Sequence, residues 1–285
     1  MNKSKCAIIN YSVILIAVVG ISLANATPSG WYDEIRISDI TGIDSSYPDV
    51  AVGQTGSNDV AIHFVWQDKE DGNWEVYYRR YYSSDANVAG SWSAPVRVST
   101  LDNTDSTYPK IAANGKEAYI AWLDGSDKIY FRRMNADGSL QASPFSITTN
   151  AISGSNDPVL IEYTSGAIHV VYKKSSGMPP TQYLYHRKTT DGGDSWISEQ
   201  PITGSNNPNN INMTGAQGKL CVAWTPGPMA FNICYATSTD NGGTWSGKVD
   251  VTLGTSLVSG PGLAGDESAG NLYLLYSLPE MVSGN

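Results

Sequence analysis

From residue 44 onward, short apolar runs alternate with polar residues at period two, separated by windows rich in Gly, Asp, Asn, Ser and Pro. This pattern predicts strands and turns, and no window shows the 3.6-residue spacing of an amphipathic helix. A proline opens a short apolar segment five times, at Pro48, Pro109, Pro158, Pro208 and Pro261, with gaps of 61, 49, 50 and 53 residues. After each comes a second, strongly alternating strand that ends in Trp66, Trp122, Tyr172, Trp224 or Tyr276, spaced 56, 50, 52 and 52 apart. Third strands are expected at residues 75–81, 128–133, 183–188 and 232–237, and fourth strands at 95–99, 144–148, 201–203 and 249–252.

Four short strands repeated about every 50 residues predict an all-β chain, a β-propeller of about five four-stranded blades. Trp31 and the run Ile35-Arg36-Ile37-Ser38 match Trp92 and the fourth-strand run Val96-Arg97-Val98-Ser99. Residues 31–38 are therefore expected to be an outermost strand that joins the last blade, closes the ring and covers its open edge. Only nine residues follow Tyr276, so the last blade is expected to be incomplete and the chain to be part of a longer one.

Residues 1–26 read as a secretory signal peptide, with Lys3 and Lys5, an 11-residue apolar run from Val13 to Leu23, and Ala24-Asn25-Ala26 as the cleavage pattern. The run is too short for the roughly 20 residues of a spanning helix. The expected mature domain, residues 27–285, has no membrane span and is secreted or held at the cell surface. It carries 16 Lys and Arg against 27 Asp and Glu, with no basic cluster, which excludes nucleic acid as a partner.

Two turns share a motif. Thr189, Asp191, Gly193, Ser195 and Trp196 stand in the third unit, and Ser238, Asp240, Gly242, Thr244 and Trp245 in the fourth. Both fit S/T-x-D-x-G-x-T/S-W, in which the carboxylate caps nearby N–H groups and the glycine supplies positive φ. The motif resembles the Asp-box, or BNR, repeat of sialidase-like β-propellers; residues 84–92 and 135–139 resemble decayed copies. The resemblance implies a structural turn on the face away from that family's active site. It also implies an arginine clamp for a substrate carboxylate, and here the chain departs from the family. Arg36, Arg79, Arg80, Arg97, Arg132, Arg133 and Arg187 all fall in expected third or fourth strands, and the Phe/Tyr-Arg-Ile-Pro signature is absent.

Candidate ligand-binding residues lie in the loops entering the first strands and in those joining second to third: Tyr47, Asp49, Asp68, Trp74, Asp105, Tyr108, Asp124 and Asn209. Trp74 stands outside the repeat rule and offers a ring for a sugar face; the carboxylates are either turn formers or an acid–base pair. Asp and Asn oxygens suit calcium, but no Asp-x-Asp-x-Asp-Gly loop is present, and His63, His169 and His186 lack zinc spacing, so no metal or cofactor is predicted. Cys221 and Cys234 are centred on a turn and are expected to face each other as a disulfide. The sequence thus points to an exported, non-catalytic module that binds carbohydrate or a surface protein. The alternatives are a glycoside hydrolase using loop carboxylates and a structural propeller of a larger cell-surface protein. No catalytic residue is assigned, and the oligomeric state is not legible.

Overall fold

The computed structural model describes residues 37–38, 44–54, 59–84, 90–125, 127–148, 159–176, 181–227, 232–251 and 260–276. The chain divides into two compact units, Met1–Thr41 and Gly42–Asn285. Within the first, only the bend at Ile37 and Ser38 is described. The signal peptide, and residues 31–36 of the expected ring-closing strand, lie outside the described residues.

The second unit is all-β, and no helix occurs among its described residues. Its strands form five antiparallel sheets in chain order. The first contains β1 (Ser45–Gln54), β2 (Val60–Asp68), β3 (Glu75–Ser83) and a fourth strand in two pieces, β4 (Ser91–Trp92) and β5 (Val96–Arg97), both paired to β3. The second is β6 (Ser106–Asn114), β7 (Glu117–Asp124), β8 (Lys128–Met134) and β9 (Phe145–Thr148). The third is β10 (Val159–Thr164), β11 (Ala167–Ser176), β12 (Thr181–Thr189) and β13 (Gln200–Pro201). The fourth is β14 (Pro208–Ala216), β15 (Lys219–Pro226), β16 (Cys234–Ser238) and β17 (Val249–Asp250). The last has two strands, β18 (Gly262–Asp266) and β19 (Asn271–Leu275).

Successive sheets pack face to face, so the second strands alternate between two neighbours rather than between core and solvent. On β7, Ala118, Ile120 and Trp122 join Val65 and Val76 of the first sheet, while Tyr119, Ala121 and Leu123 join Val159 and Tyr172 of the third. Val171 and Leu184 of the third sheet meet Trp224 and Met213 of the fourth in the same way. The terminal aromatics Trp122, Tyr172 and Trp224 are fully buried against the preceding sheet. Each such ring contributes roughly the 3–5 kcal/mol that truncating a core aromatic costs.

Two expectations need correction. The first strands of the first two sheets begin before their prolines. Ser45 pairs with Asp68 and Ser106 with Asp124, and the ladder then slips at Tyr47-Pro48 and Tyr108-Pro109, because proline has no N–H to donate. The cysteines form no disulfide. Cys221 stands opposite Thr237 and Cys234 opposite Trp224. An odd offset along a strand sends the two side chains to opposite faces, and both are buried free thiols.

Candidate functional site

The slips at the start of β1 and β6 shape one end of the sheet stack. Tyr47 and Tyr108 precede their prolines with φ of 50° and 52°, a left-handed conformation costly for a bulky residue. The two rings meet edge to face at 4.6 Å across the boundary of the first two sheets, and Tyr47 is 43% exposed. Buried Gln67 fixes this geometry by accepting from the Tyr108 N–H at 2.8 Å. Trp74 is held at the same boundary. Its N–H donates to Asp105 Oδ1 at 2.9 Å, its carbonyl accepts from Ser106 N–H at 2.6 Å, and Lys69 Nζ lies 4.7 Å from its ring centre.

The expected site residues thus separate into three sets. Tyr47 meets Tyr108, and Asp105 accepts from the Trp74 main-chain N–H, both pairs spanning the first two sheets. Asp49, Asp68 and Asp124 are committed to stitching strands. Asp49 accepts from Ile111 N–H, Asp68 accepts from Ser45 Oγ at 2.6 Å, and Asp124 accepts from Ser106 Oγ at 3.1 Å. Desolvation raises the Asp124 carboxyl above its ordinary range, against the lowering hydrogen bond from Ser106. Asn209 lies apart on the fourth sheet, where its Nδ2 donates to the Gly227 carbonyl.

The described arginines are committed as well. Arg79, Arg132 and Arg187 occupy equivalent register positions, and their Nε groups donate to Ser93, Gln141 and Ile197 carbonyls on the fourth-strand side. Arg132 and Arg187 also reach back to the Val98 and Ile147 carbonyls of the preceding sheet, each at 2.7 Å. Arg97 pairs with Asp71 at 2.6 Å. Guanidiniums held this way are not presented as a carboxylate clamp.

The two Asp turns are built alike. Asp191 accepts from Thr189 Oγ1, Ser195 Oγ and the Asp194 and Ser195 N–H groups; Asp240 accepts from Ser238 Oγ, Thr244 Oγ1 and Thr244 N–H. These donors hold both carboxyls well below the usual carboxylate range. Trp196 packs edge-on to Phe131 at 5.0 Å, and Trp245 packs edge-on to His186 at 5.2 Å, each on the preceding sheet. The turns seal sheet boundaries.

The structure adds a feature that the sequence reading missed. A cavity of about 680 Å³ lies between the far ends of β1, β6 and β10, bounded also by Gln217 and Glu267. Its walls are small, with Ala51, Gly53, Ala112 and Gly115 among them, and Glu162 lines it. Burial, with a smaller contribution from Glu267, pushes the Glu162 carboxyl up to about 7. The register shows why Glu162 stands out. It lies opposite His169, and the corresponding first-strand positions in the other sheets hold Ala51, Ala112, Thr214 and Ala264. Superposing the five units on their terminal aromatics would have exposed this exception.

Among the described residues, no three His, Cys, Asp or Glu side chains are placed to hold a metal ion, and no helix is long and apolar enough to cross a membrane. No family model matches the chain, and neither does any curated sequence. Solved structures do share its fold. A protein of unknown function from Dyadobacter fermentans is 13% identical with a TM-score of 0.52, covering 78% of this chain and 72% of that one. A Hadza microbial sialidase is also 13% identical with a TM-score of 0.51, covering 81% of this chain; the match spans about half, 52%, of the sialidase. At such identities the likeness is one of fold, a sialidase-like β-propeller.

Proposed function

We propose that this chain is an exported Asp-box propeller of about five blades and that it binds carbohydrate without cleaving it. The observation that carries this reading is the aromatic rim between the first two sheets. Tyr47 and Tyr108 touch there on constrained backbone, and the Trp74 main chain is bonded to Asp105 and Ser106 across the same sheet boundary. Rigid aromatic faces ringed by a few polar groups suit a sugar, which has an apolar face and hydroxyl edges. The commitment of the described arginines to strand-to-strand bonds supports binding over sialidase chemistry.

The test is a glycan array run beside a panel of chromogenic glycosides. Binding of at least one glycan without turnover is expected, and Tyr47→Ala and Trp74→Ala should each weaken it at least tenfold. Turnover abolished by Asp105→Asn would overturn the non-catalytic reading, and binding unaffected by both aromatic changes would remove the rim from it.

A further inference from the structure

The charges around the aromatic rim are one-sided. The rim belongs to four segments at one end of the first two sheets, residues 44–49, 67–75, 101–108 and 124–128, and hydrogen bonds knit these into a single face. Lys69 N–H donates to the Asp44 carbonyl at 3.3 Å, and Ser45 Oγ donates to Asp68 at 2.6 Å. Asn73 Nδ2 donates to the Thr104 carbonyl and Gly125 N–H to the Asp105 carbonyl, each at 2.8 Å. On this face Asp44, Glu70, Asp71, Asp102, Asp105 and Asp127 are exposed, and the exposed cations of the same segments are Lys69 and Lys128. Arg97 neutralises Asp71 at 2.6 Å, and Lys69 lies over the Trp74 ring, 4.7 Å from its centre. Five carboxylates therefore stand against two lysines.

We propose that the glycan taken at this rim carries free amino groups, as a glucosamine chain does, and that acidic glycans are excluded. This rests on the carbohydrate reading of the rim and names the class of sugar. An ammonium is drawn to the face of a tyrosine ring by its quadrupole and to carboxylates by charge-assisted hydrogen bonds. The rim offers both, since Tyr47 is 43% exposed and the carboxylates share its face. A neutral N-acetylated chain keeps the ring contact and loses the charge.

A uronic or sialic acid meets the opposite field. Its carboxylate needs a cation to pair with, whereas Arg79, Arg132 and Arg187 are held to main-chain carbonyls and Arg97 to Asp71. The turn bonds of the acids do not cancel their charge. Asp102 accepts from Thr104 N–H at 2.7 Å and Asp105 from Trp74 N–H at 2.9 Å, and both donors are neutral amides. The expected order of affinity is amine-bearing, then neutral, then acidic. Because the carboxylates are exposed, salt should compress that order.

Isothermal titration of the full chain at pH 6 against hexamers of glucosamine, N-acetylglucosamine and galacturonic acid, in low and in half-molar salt, tests the specificity. In low salt the glucosamine hexamer should bind at least tenfold more tightly than its acetylated form, and the galacturonic acid hexamer should not bind. High salt should narrow the ratio to threefold or less, and Glu70→Gln combined with Asp102→Asn should narrow it in low salt. Tyr47→Ala should weaken glucosamine binding at least tenfold; binding indifferent to that change would be plain charge attraction and would overturn the proposal. Equal affinity for the two glucosamine forms, a ratio untouched by the paired acid changes, or array binding confined to neutral or acidic glycans would overturn the amine specificity and leave the carbohydrate reading standing. Failure of every glycan to bind would overturn both.

Discussion

Arg133, in the second sheet, donates from its guanidinium to the carbonyl of Gly192 in the Asp turn of the third sheet, at 3.2 Å. The relationship repeats. Arg80 reaches the Ala136 carbonyl of the next sheet at 3.1 Å, and Lys188 reaches the Asn241 carbonyl at 2.8 Å. All three cations hold the same register position relative to the terminal aromatic of their sheet. A cation on the third strand of each of the first three sheets thus docks the turn of the sheet that follows. Replacing Arg133 by Met keeps the stem and removes the donor, and should lower unfolding stability by about 1–2 kcal/mol in urea titration. A loss in Arg133→Ala with none in Arg133→Met would indicate that the stem, not the donor, matters.

The glycines of the Asp turns touch rings of the preceding sheet. A Cβ on Gly193, at φ +100°, would lie 2.1 Å from the Phe131 ring, whereas one on Gly72, at φ +98°, meets nothing within 4 Å. The pair separates backbone strain from collision. Gly72→Ala should cost about 1 kcal/mol and Gly193→Ala about 2–4 kcal/mol by thermal or urea unfolding. Equal costs would mean that φ alone demands the glycine.

Three buried histidines make the fold acid-sensitive. Desolvation lowers His63 and His169 to about 4 and His186 to about 3, from an ordinary 6.5. The unfolded chain takes up protons first as pH falls below 6.5, so stability drops through the window from 6.5 to about 4 by about 1.4 kcal/mol per pH unit for each histidine. Glu162 acts in the opposite direction, since its raised carboxyl favours the folded state in acid. His63→Gln should remove about one proton from the slope of stability against pH; an unchanged slope would show that His63 does not carry it.

Cys221 and Cys234 should be silent thiols. Burial pushes the first up to about 11; burial and the Asp250 carboxylate, which accepts from its Sγ, push the second up to about 12. Neither should alkylate in the folded protein at pH 8, and both should do so once denatured without reductant. A peptide linking the two, found by mass spectrometry before reduction, would contradict the strand register.

The repeat was legible because packing demands it: Trp122, Tyr172 and Trp224 each fill the boundary with the preceding sheet, so their spacing survives in the sequence. Register was less legible. A midpoint between Cys221 and Cys234 suggests a turn centre, but pairing is fixed by which faces are buried, and that moved Cys234 opposite Trp224. Tyr47, Tyr108, Trp74 and Asp105 could be singled out as candidates because irregular loop residues stand out against a period. Glu162 escaped because it sits inside a strand, where one acid among apolar neighbours carries no loop signal. The arginines showed their strand but not their partners, which are mostly main-chain carbonyls of their own and adjacent units and leave no mark in composition.

In the fourth sheet the position held by Arg80, Arg133 and Lys188 is taken by Thr237, opposite Cys221 on β15. The units are consequently not interchangeable tiles. Each of the first three carries a third-strand cation cut for its successor, while the fourth holds its successor's turn through Gln217 and Lys219 instead, so their sequence is written into the chain as a direction. Exchanging the third and fourth units would leave a turn without its latch and a lysine without its carbonyl, even if every strand still formed.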